Sequence, residues 1–507
     1  MNEKKMRLGI NTNFDNVLGD TPAYHCVCDK VDFMVCHTDP QRFPLPVAEE
    51  RAKTVAEKLG GKGVDFVANF EFQNFGHDVS APDGTEWVYN TEQLHRLVIP
   101  DTYIKALQSS AHFKGVMYDE FEHTIINQNL SIILASKGKL RKSVFPPLDG
   151  RDPYAQGELL SRQIGEYAAE LKSKGAELFV GEHVFPVLFH TFARNGIIPN
   201  FKSQKEGVSN LAFAFAAGAA MQYGTPLWNC VDCWFRLTNP GHSAKEMYYN
   251  LKFADLAGVN NVYVESAAVF TDGEGRPNEY AERFAEFSEN GRNPDRRYDI
   301  HDYRPEIGII RYDDTYWGQG DPVMWRRMLF GNKRIKPGRR SKEILGIFSL
   351  ITHGETSKGS FSWAKISPWA LRKHRSFMTM NSVAVFDDRV REGLESLKLC
   401  FLSGIHISDE TLALVAKRVN ENGLTVVTPR CFAPERIRAQ AKKPYAEIRD
   451  GKGVWIVTAR PAGAKVKKRI APFLGKKGEI RLTFAGGREI VLKISDDGDS
   501  FEIVKNG

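Results

Sequence analysis

Eight apolar runs of strand length, most of them followed by a segment patterned as a helix, fill the first three hundred residues, and this alternation leaves few folds open. The strand-like runs are residues 8–14 (LGINTNF), 31–38 (VDFMVCHT), 64–72 (VDFVANFEF), 115–118, 177–183 (ELFVGEH), 198–203 (IPNFKS), 226–234 (PLWNCVDCW) and 261–266 (NVYVES). Helical spacing is read at 47–59, 91–111, 157–174, 211–221, 244–257 and 279–287. Eight such units predict a (β/α)8 TIM barrel over residues 1–300. No GxGxxG follows a strand, so no dinucleotide-binding sheet competes. If 198–203 were not a strand, 261–266 would become the seventh. The excursion 124–156 is too long for an ordinary connection and reads as a loop over a site.

In such a barrel the carboxyl ends of the strands form one catalytic face, which makes the strand ends informative. The fourth run, 115–123 (GVMYDEFEH), passes from Val116, Met117 and Tyr118 into Asp119, Glu120 and Glu122, with His123 beside them. Like charges packed this closely raise one another's pKa, as clusters built for proton transfer or ion binding do. The third strand ends at Glu71, the fifth at Glu182 and His183, the seventh at Asp232 and Trp234, and the eighth at Glu265. Cleavage of a glycosidic bond needs one carboxylic acid to protonate the leaving oxygen and a second carboxylate to attack or to activate water. Aromatic faces such as Tyr118, Trp228 and Trp234 suit the apolar faces of sugars. Read structurally instead, Glu265 pairs with an arginine and Asp232 caps a helix.

Composition narrows the partners. The chain has 507 residues and a net charge of +7, with 26% charged and 42% hydrophobic residues, an ordinary globular balance. The positive excess sits in patches such as 333–342 (KRIKPGRRSK) and 465–477 without interleaved aromatics, so nucleic acid is not the expected partner. The amino-terminal residues lack an apolar signal core, and no uncharged run reaches membrane-spanning length. Seven cysteines suit reduced thiols in a cytoplasmic protein. The CxC and CxxC pairs at Cys26, Cys28, Cys230 and Cys233 lack a second pair at finger spacing, so neither a metal nor another cofactor is expected.

After Glu306 the pattern changes. Strands at 306–314, 382–386, 398–403 and 424–430 with helices at 343–350, 390–397 and 407–423 predict a second, smaller α/β unit over 301–435. Strands at 453–458, 479–484, 488–494 and 501–504 predict a small terminal β unit over 436–507. The segment 398–429 (KLCFLSGIHISDETLALVAKRVNENGLTVVTP) resembles the second domain of glycoside hydrolase family 42 beta-galactosidases. That resemblance implies a glutamine-amidotransferase-like (flavodoxin-like) domain, a terminal β domain and a homo-oligomer, a trimer in that family. It also places the proton donor on Glu120, where that family has an Asn-Glu pair and this chain has Asp119-Glu120. An Asp-Glu pair is instead similar to substrate-assisted hexosaminidases, in which the aspartate orients the substrate's acetamido group.

The expected function is therefore hydrolysis of an oligo- or polysaccharide, with Glu120 as general acid and Asp232 or Glu265 as the opposing carboxylate. Glu182 and Asp119 are the remaining catalytic candidates. Substrate contacts are expected from Glu71, Tyr118, Glu122, His123, His183, Trp228, Trp234, Tyr316 and Trp317, the last two from the loop 312–325 (YDDTYWGQGDPVMW). Three other classes stay open: a substrate-assisted N-acetylhexosaminidase using Asp119-Glu120, a metal-dependent barrel enzyme drawing on His37 with these acids, and a carbohydrate-binding protein without catalysis.

Overall fold

The computed structural model describes residues 4–38, 40–70, 88–90, 95–97, 99–119, 148–183, 188–203, 208–233, 242–316, 328–332, 334–356 and 375–507. Eight parallel strands close into a barrel: β1 (Arg7–Asn13), β2 (Phe33–His37), β3 (Asp65–Asn69), β4 (Phe113–Tyr118), β5 (Leu178–His183), β6 (Ile198–Ser203), β7 (Trp228–Val231) and β8 (Asn261–Val264). Each strand pairs with its neighbour in the chain, and β8 returns to β1 with Asn261 opposite Arg7. The segment 198–203 is a full member of the wall, so Glu265 belongs to the eighth strand.

Side chains along a strand point alternately to its two faces. The inward set at the amino end is apolar: Phe33, Val35, Val67, Met117, Val180, Ile198, Trp228, Cys230 and Tyr263 form one buried plug. Phe33 meets Trp228 edge-on with ring centroids 5.0 Å apart. The amino half of the barrel is thus a packed core.

The outer layer departs from expectation after β5, where the short helix Phe189–Arg194 forms, and again before β4. Instead of a helix over 91–111, Val88–Asn90 pairs with His95–Leu97 as a hairpin, and the helix is Asp101–Leu107. Pro100 stands at its start, where a missing N–H and a bulky ring prevent the helix from extending further back. The helix Pro153–Ser173 starts on a capping Asp152, whose carboxylate accepts from the Ala155 amide.

The second sheet contains β9 (Ile307–Ile310), β10 (Val383–Phe386), β11 (Leu399–Leu402), β12 (Thr425–Thr428), β13 (Tyr445–Asp450) and β14 (Gly453–Thr458), in the order β10-β9-β11-β12-β14-β13. All neighbours are parallel except β13 with β14. Counted in chain order, the parallel strands run 2-1-3-4-5, a doubly wound arrangement. Residues 453–458, expected in the terminal unit, therefore belong here. Trp455 to Thr458 are buried in succession, as a strand covered on both faces must be. No helix forms over 390–397, because Gly393 adopts a left-handed φ of 84°. The helix Asp409–Asn422 is capped by Ser408 and ends at Gly423, as its pattern predicts.

The barrel and this sheet meet along the helix Ser209–Tyr223, buried on all sides from Ser209 to Ala220. It covers β10, the edge strand. A Cβ on Gly218 would lie 1.6 Å from the Val385 carbonyl oxygen, so only glycine permits this approach. His190 Nε2 donates to the same carbonyl at 2.8 Å, and Asn210 exchanges two hydrogen bonds with the Met378 backbone. An exposed edge strand is thereby covered.

The terminal sheet is β15 (Glu479–Thr483), β16 (Glu489–Ile494) and β17 (Phe501–Asn506), antiparallel throughout. Asp499, in the turn before β17, has its carboxyl pushed up to about 7 by burial, then by the carboxylates of Glu246 and Asp497, with His242 opposing. The folded chain thus holds this proton more tightly than the unfolded chain. The associated stability is complete below the ordinary aspartate range and is lost as pH rises to about 7. Asp499→Asn is expected to melt above the parent at pH 8 and with it at pH 4 in parallel thermal scans; identical differences at both pH values would refute this. Among the described residues, no helix is long and apolar enough to cross a membrane.

Candidate active site

The same alternation that fills the amino end with apolar groups carries polar ones into the carboxyl end. Two positions beyond an inward apolar residue stand His37 (from Val35), Asn69 (from Val67), Asp119 (from Met117), Glu182 (from Val180), Asp232 (from Cys230) and Glu265 (from Tyr263). On β6 the inward series is Ile198, Asn200 and Lys202.

Lys202 is the hub. Its side chain is 1% exposed, and its Nζ lies 2.8 Å from Glu182 Oε1, 2.9 Å from Glu265 Oε2, 3.1 Å from Asp119 Oδ1 and 3.7 Å from Asp232 Oδ2. Carboxylates from β4, β5, β7 and β8 thus converge on one ammonium group from β6. The Tyr263 hydroxyl donates to Glu182 Oε2 and accepts from Asn200 Nδ2 at 2.8 Å. The Cys230 thiol reaches Glu265 Oε2 at 3.5 Å. Burial above all keeps both the tyrosine and the thiol well above their ordinary pKa, so each retains its proton and acts as a donor.

The four acids differ in their access to solvent. Side-chain exposure is 0% for Asp119 and Glu182, 2% for Asp232 and 19% for Glu265. Ser266, directly after Glu265, holds φ 67° and ψ 104°, a sparsely populated conformation for a residue with a side chain. Such outliers persist where surrounding structure imposes them, and they cluster at functional sites. Across the mouth, Nδ2 of Asn11 and of Asn69 approach His37 Nε2 at 2.7 and 3.4 Å. A cavity of about 190 Å³ opens beside His37, walled by Arg42, Arg51 and Tyr103.

Glu182, Cys230 and Glu265 offer ligand atoms within 4.8 Å of one another. Lys202 already lies against both carboxylates, and the thiol holds its proton. The cation in this cluster is thus supplied by the chain itself.

Of the sequence-based site residues, Asp119, Glu182, Asp232 and Glu265 are brought together. Glu71, Glu120, Glu122, His123, Trp234 and Trp317 lie outside the described residues, as does the side chain of His183. Two aromatics stand elsewhere than at a sugar-facing mouth: Trp228 belongs to the plug at the amino end, and Tyr118 joins the core between barrel and helices. Tyr316 is 7% exposed and buried in that core as well. Its neighbour Asp313 accepts from the amides of Leu188 and Thr191 at 3.1 Å, which ties the loop after β9 to the helix after β5. Sequence reasoning missed Lys202, Asn200, Tyr263 and Cys230, although counting in twos along each strand would have found them.

No family model matches the chain, and no curated protein matches it. Solved structures with which it aligns include a β-L-arabinopyranosidase of glycoside hydrolase family 27 from Geobacillus stearothermophilus, at 11% identity and TM-score 0.32, covering 57% of this chain and 77% of that one. An alpha-amylase from H. orenii aligns at 9% identity and TM-score 0.29 over 52% and 69% of the two chains. An HpcH/HpaI aldolase from Desulfitobacterium hafniense does so at 10% and 0.26 over 52% and 88%. Values this low carry no argument about this chain, and the barrel assignment rests on its own strand pairing.

Proposed function

We propose that this chain is a glycoside hydrolase acting on an oligo- or polysaccharide through two carboxylates at the barrel mouth. The observation that carries this reading is the gathering of four acids round Lys202, with Glu265 alone extending toward solvent. Glu265 is the carboxylate that meets the sugar, as nucleophile or as base toward water. Lys202 fixes its direction through a hydrogen bond of 2.9 Å from Nζ to Oε2. Glu182, buried and held by Tyr263, orients the lysine in turn. Four carboxyl groups within 3.7 Å of one ammonium form a set suited to acid–base chemistry.

Glu120, next in the chain to Asp119, is the proposed general acid. A separation of about 5 Å between its carboxyl and that of Glu265 would give retention, and about 6.5–9.5 Å inversion. The substrate-assisted alternative fits less well: Asp119, which would hold the acetamido group, is wholly buried with its carboxylate on Lys202. The metal-dependent alternative draws on Glu182, Cys230 and Glu265 and predicts loss of activity on chelation. An amidotransferase-like identity for the second unit and a trimeric assembly remain proposals from the resemblance at 398–429.

A panel of nitrophenyl glycosides tests the reading. Glu120→Gln is expected to lower kcat by about 10²–10⁴ on whichever glycoside the parent cleaves. Undiminished hydrolysis by this variant would remove Glu120 from the mechanism. Failure of the parent on aryl glycosides and natural oligosaccharides alike would remove the glycosidase.

A further inference from the structure

A second concave site lies outside the barrel, at the carboxyl edge of the second sheet. Loops at the carboxyl ends of parallel strands commonly build binding sites, and this cavity lies at the ends of the third to fifth parallel strands, beside the switch point between β9 and β11. Residues following β11, β12 and β14 meet the loop that leads into the helix Glu343–Ile351, and together they enclose a cavity of about 770 Å³. That volume falls in the range of sites for molecules of nucleotide size.

Its charge is one-sided. Arg339, Arg340, Arg430, Lys442 and Lys443 line it, against the single acid Glu343. An adjoining cavity of about 630 Å³ shares Arg339 and Glu343 and adds Lys342 and Arg460. Among the described residues none of these seven cations forms a salt bridge with a carboxylate, unlike Arg296 with Asp255 or Arg311 with Asp314 in the cores. Their positions are nonetheless set. Arg339 donates to the Ala459 carbonyl, Arg430 Nη1 donates to the Ala441 carbonyl at 3.0 Å, and Arg340 lies over the Phe432 ring at 5.1 Å. Burial pushes the Glu343 carboxyl up, with Arg340 and Arg339 opposing. The wall between the cations includes apolar side chains, the half-buried Ile405 and Pro429 with the buried Val457 behind them.

We propose that this edge binds a phosphate ester of nucleotide size, its phosphate on the arginine and lysine cluster and its uncharged part on the apolar wall. Arginine forks match phosphate oxygens in pairs, and lysines add point charge. Arg339, Arg340 and Lys342 of the basic patch thus line one wall of the two cavities. A nucleoside phosphate and a sugar phosphate share this chemistry, and the probes below distinguish them. The site is independent of the hydrolytic reading, since binding is measured directly.

Calorimetric titration of the full chain in low-salt buffer with ADP, glucose 6-phosphate, inorganic phosphate and adenosine tests the assignment. One of the two esters is expected to bind at one site per chain and more tightly than inorganic phosphate, while adenosine gives no heat. Because Lys442 and Lys443 are exposed, the double variant Lys442→Glu, Lys443→Glu is expected to keep the parent melting temperature and lose about tenfold in affinity. Absence of binding by both esters, equal binding by the double variant, or tighter binding of heparin or single-stranded DNA than of either ester would each overturn the proposal.

Discussion

Lys202→Met is expected to be the most damaging single change in the barrel, lowering stability by about 3–5 kcal/mol. The substitution keeps most of the side-chain volume and removes only the charge. Asp119, Glu182, Asp232 and Glu265 would then lose the ammonium that lies within 3.7 Å of all four. Like charges in a low-dielectric interior repel strongly, and the desolvation of each goes uncompensated. In a thermal scan the melting temperature should fall on the order of 10 °C. A second replacement, Glu182→Gln in the Lys202→Met background, should recover part of the loss, because it removes one of the stranded charges. A Lys202→Met protein as stable as its parent would mean that the four acids are not jointly held by this ammonium, and the site described above would fail with it.

Glu265→Ala should have the largest effect on catalysis while leaving the fold intact, since this acid is the partly exposed member of the cluster. Loss of a nucleophile or of its positioned base is expected to lower kcat by about 10³ or more. Added azide separates the two roles. In either case azide attacks once from the vacated side and gives a glycosyl azide inverted relative to the substrate, so the comparison is with the parent's own product. An azide of configuration opposite to the parent's hydrolysis product marks Glu265 as the nucleophile of a retaining enzyme, and one of the same configuration marks it as the base of an inverting enzyme. Hydrolysis unaltered in Glu265→Ala would transfer the role to Asp232, the next acid in order of exposure.

The two-residue period made the strand ends legible and left one of their occupants unseen. The alternation of strands and helices specified the barrel, and four of the acids assigned to its mouth do meet. Lys202 was passed over because IPNFKS carries a proline and a lysine, which read as the end of a strand rather than its interior; both belong to β6, and the lysine is drawn inward by the acids around it. Trp228 suits a sugar platform by residue type, whereas its position at the start of β7 places it at the amino end. The break at Gly393 and the hairpin before Pro100 were also local signals, outweighed in the periodicity by neighbouring apolar residues. The reassignment of residues 453–458 was not legible locally. A strand's pattern gives its faces, but which sheet it joins depends on a partner, here β12, that lies far back in the chain.

The contact at Gly218 has a bearing on whether the barrel can stand alone. A barrel helix and a strand of another sheet that touch backbone to backbone leave no slack for a side chain to take up. A barrel expressed without the second sheet would carry an oily helix with nothing to rest on, and is expected to be poorly soluble by itself.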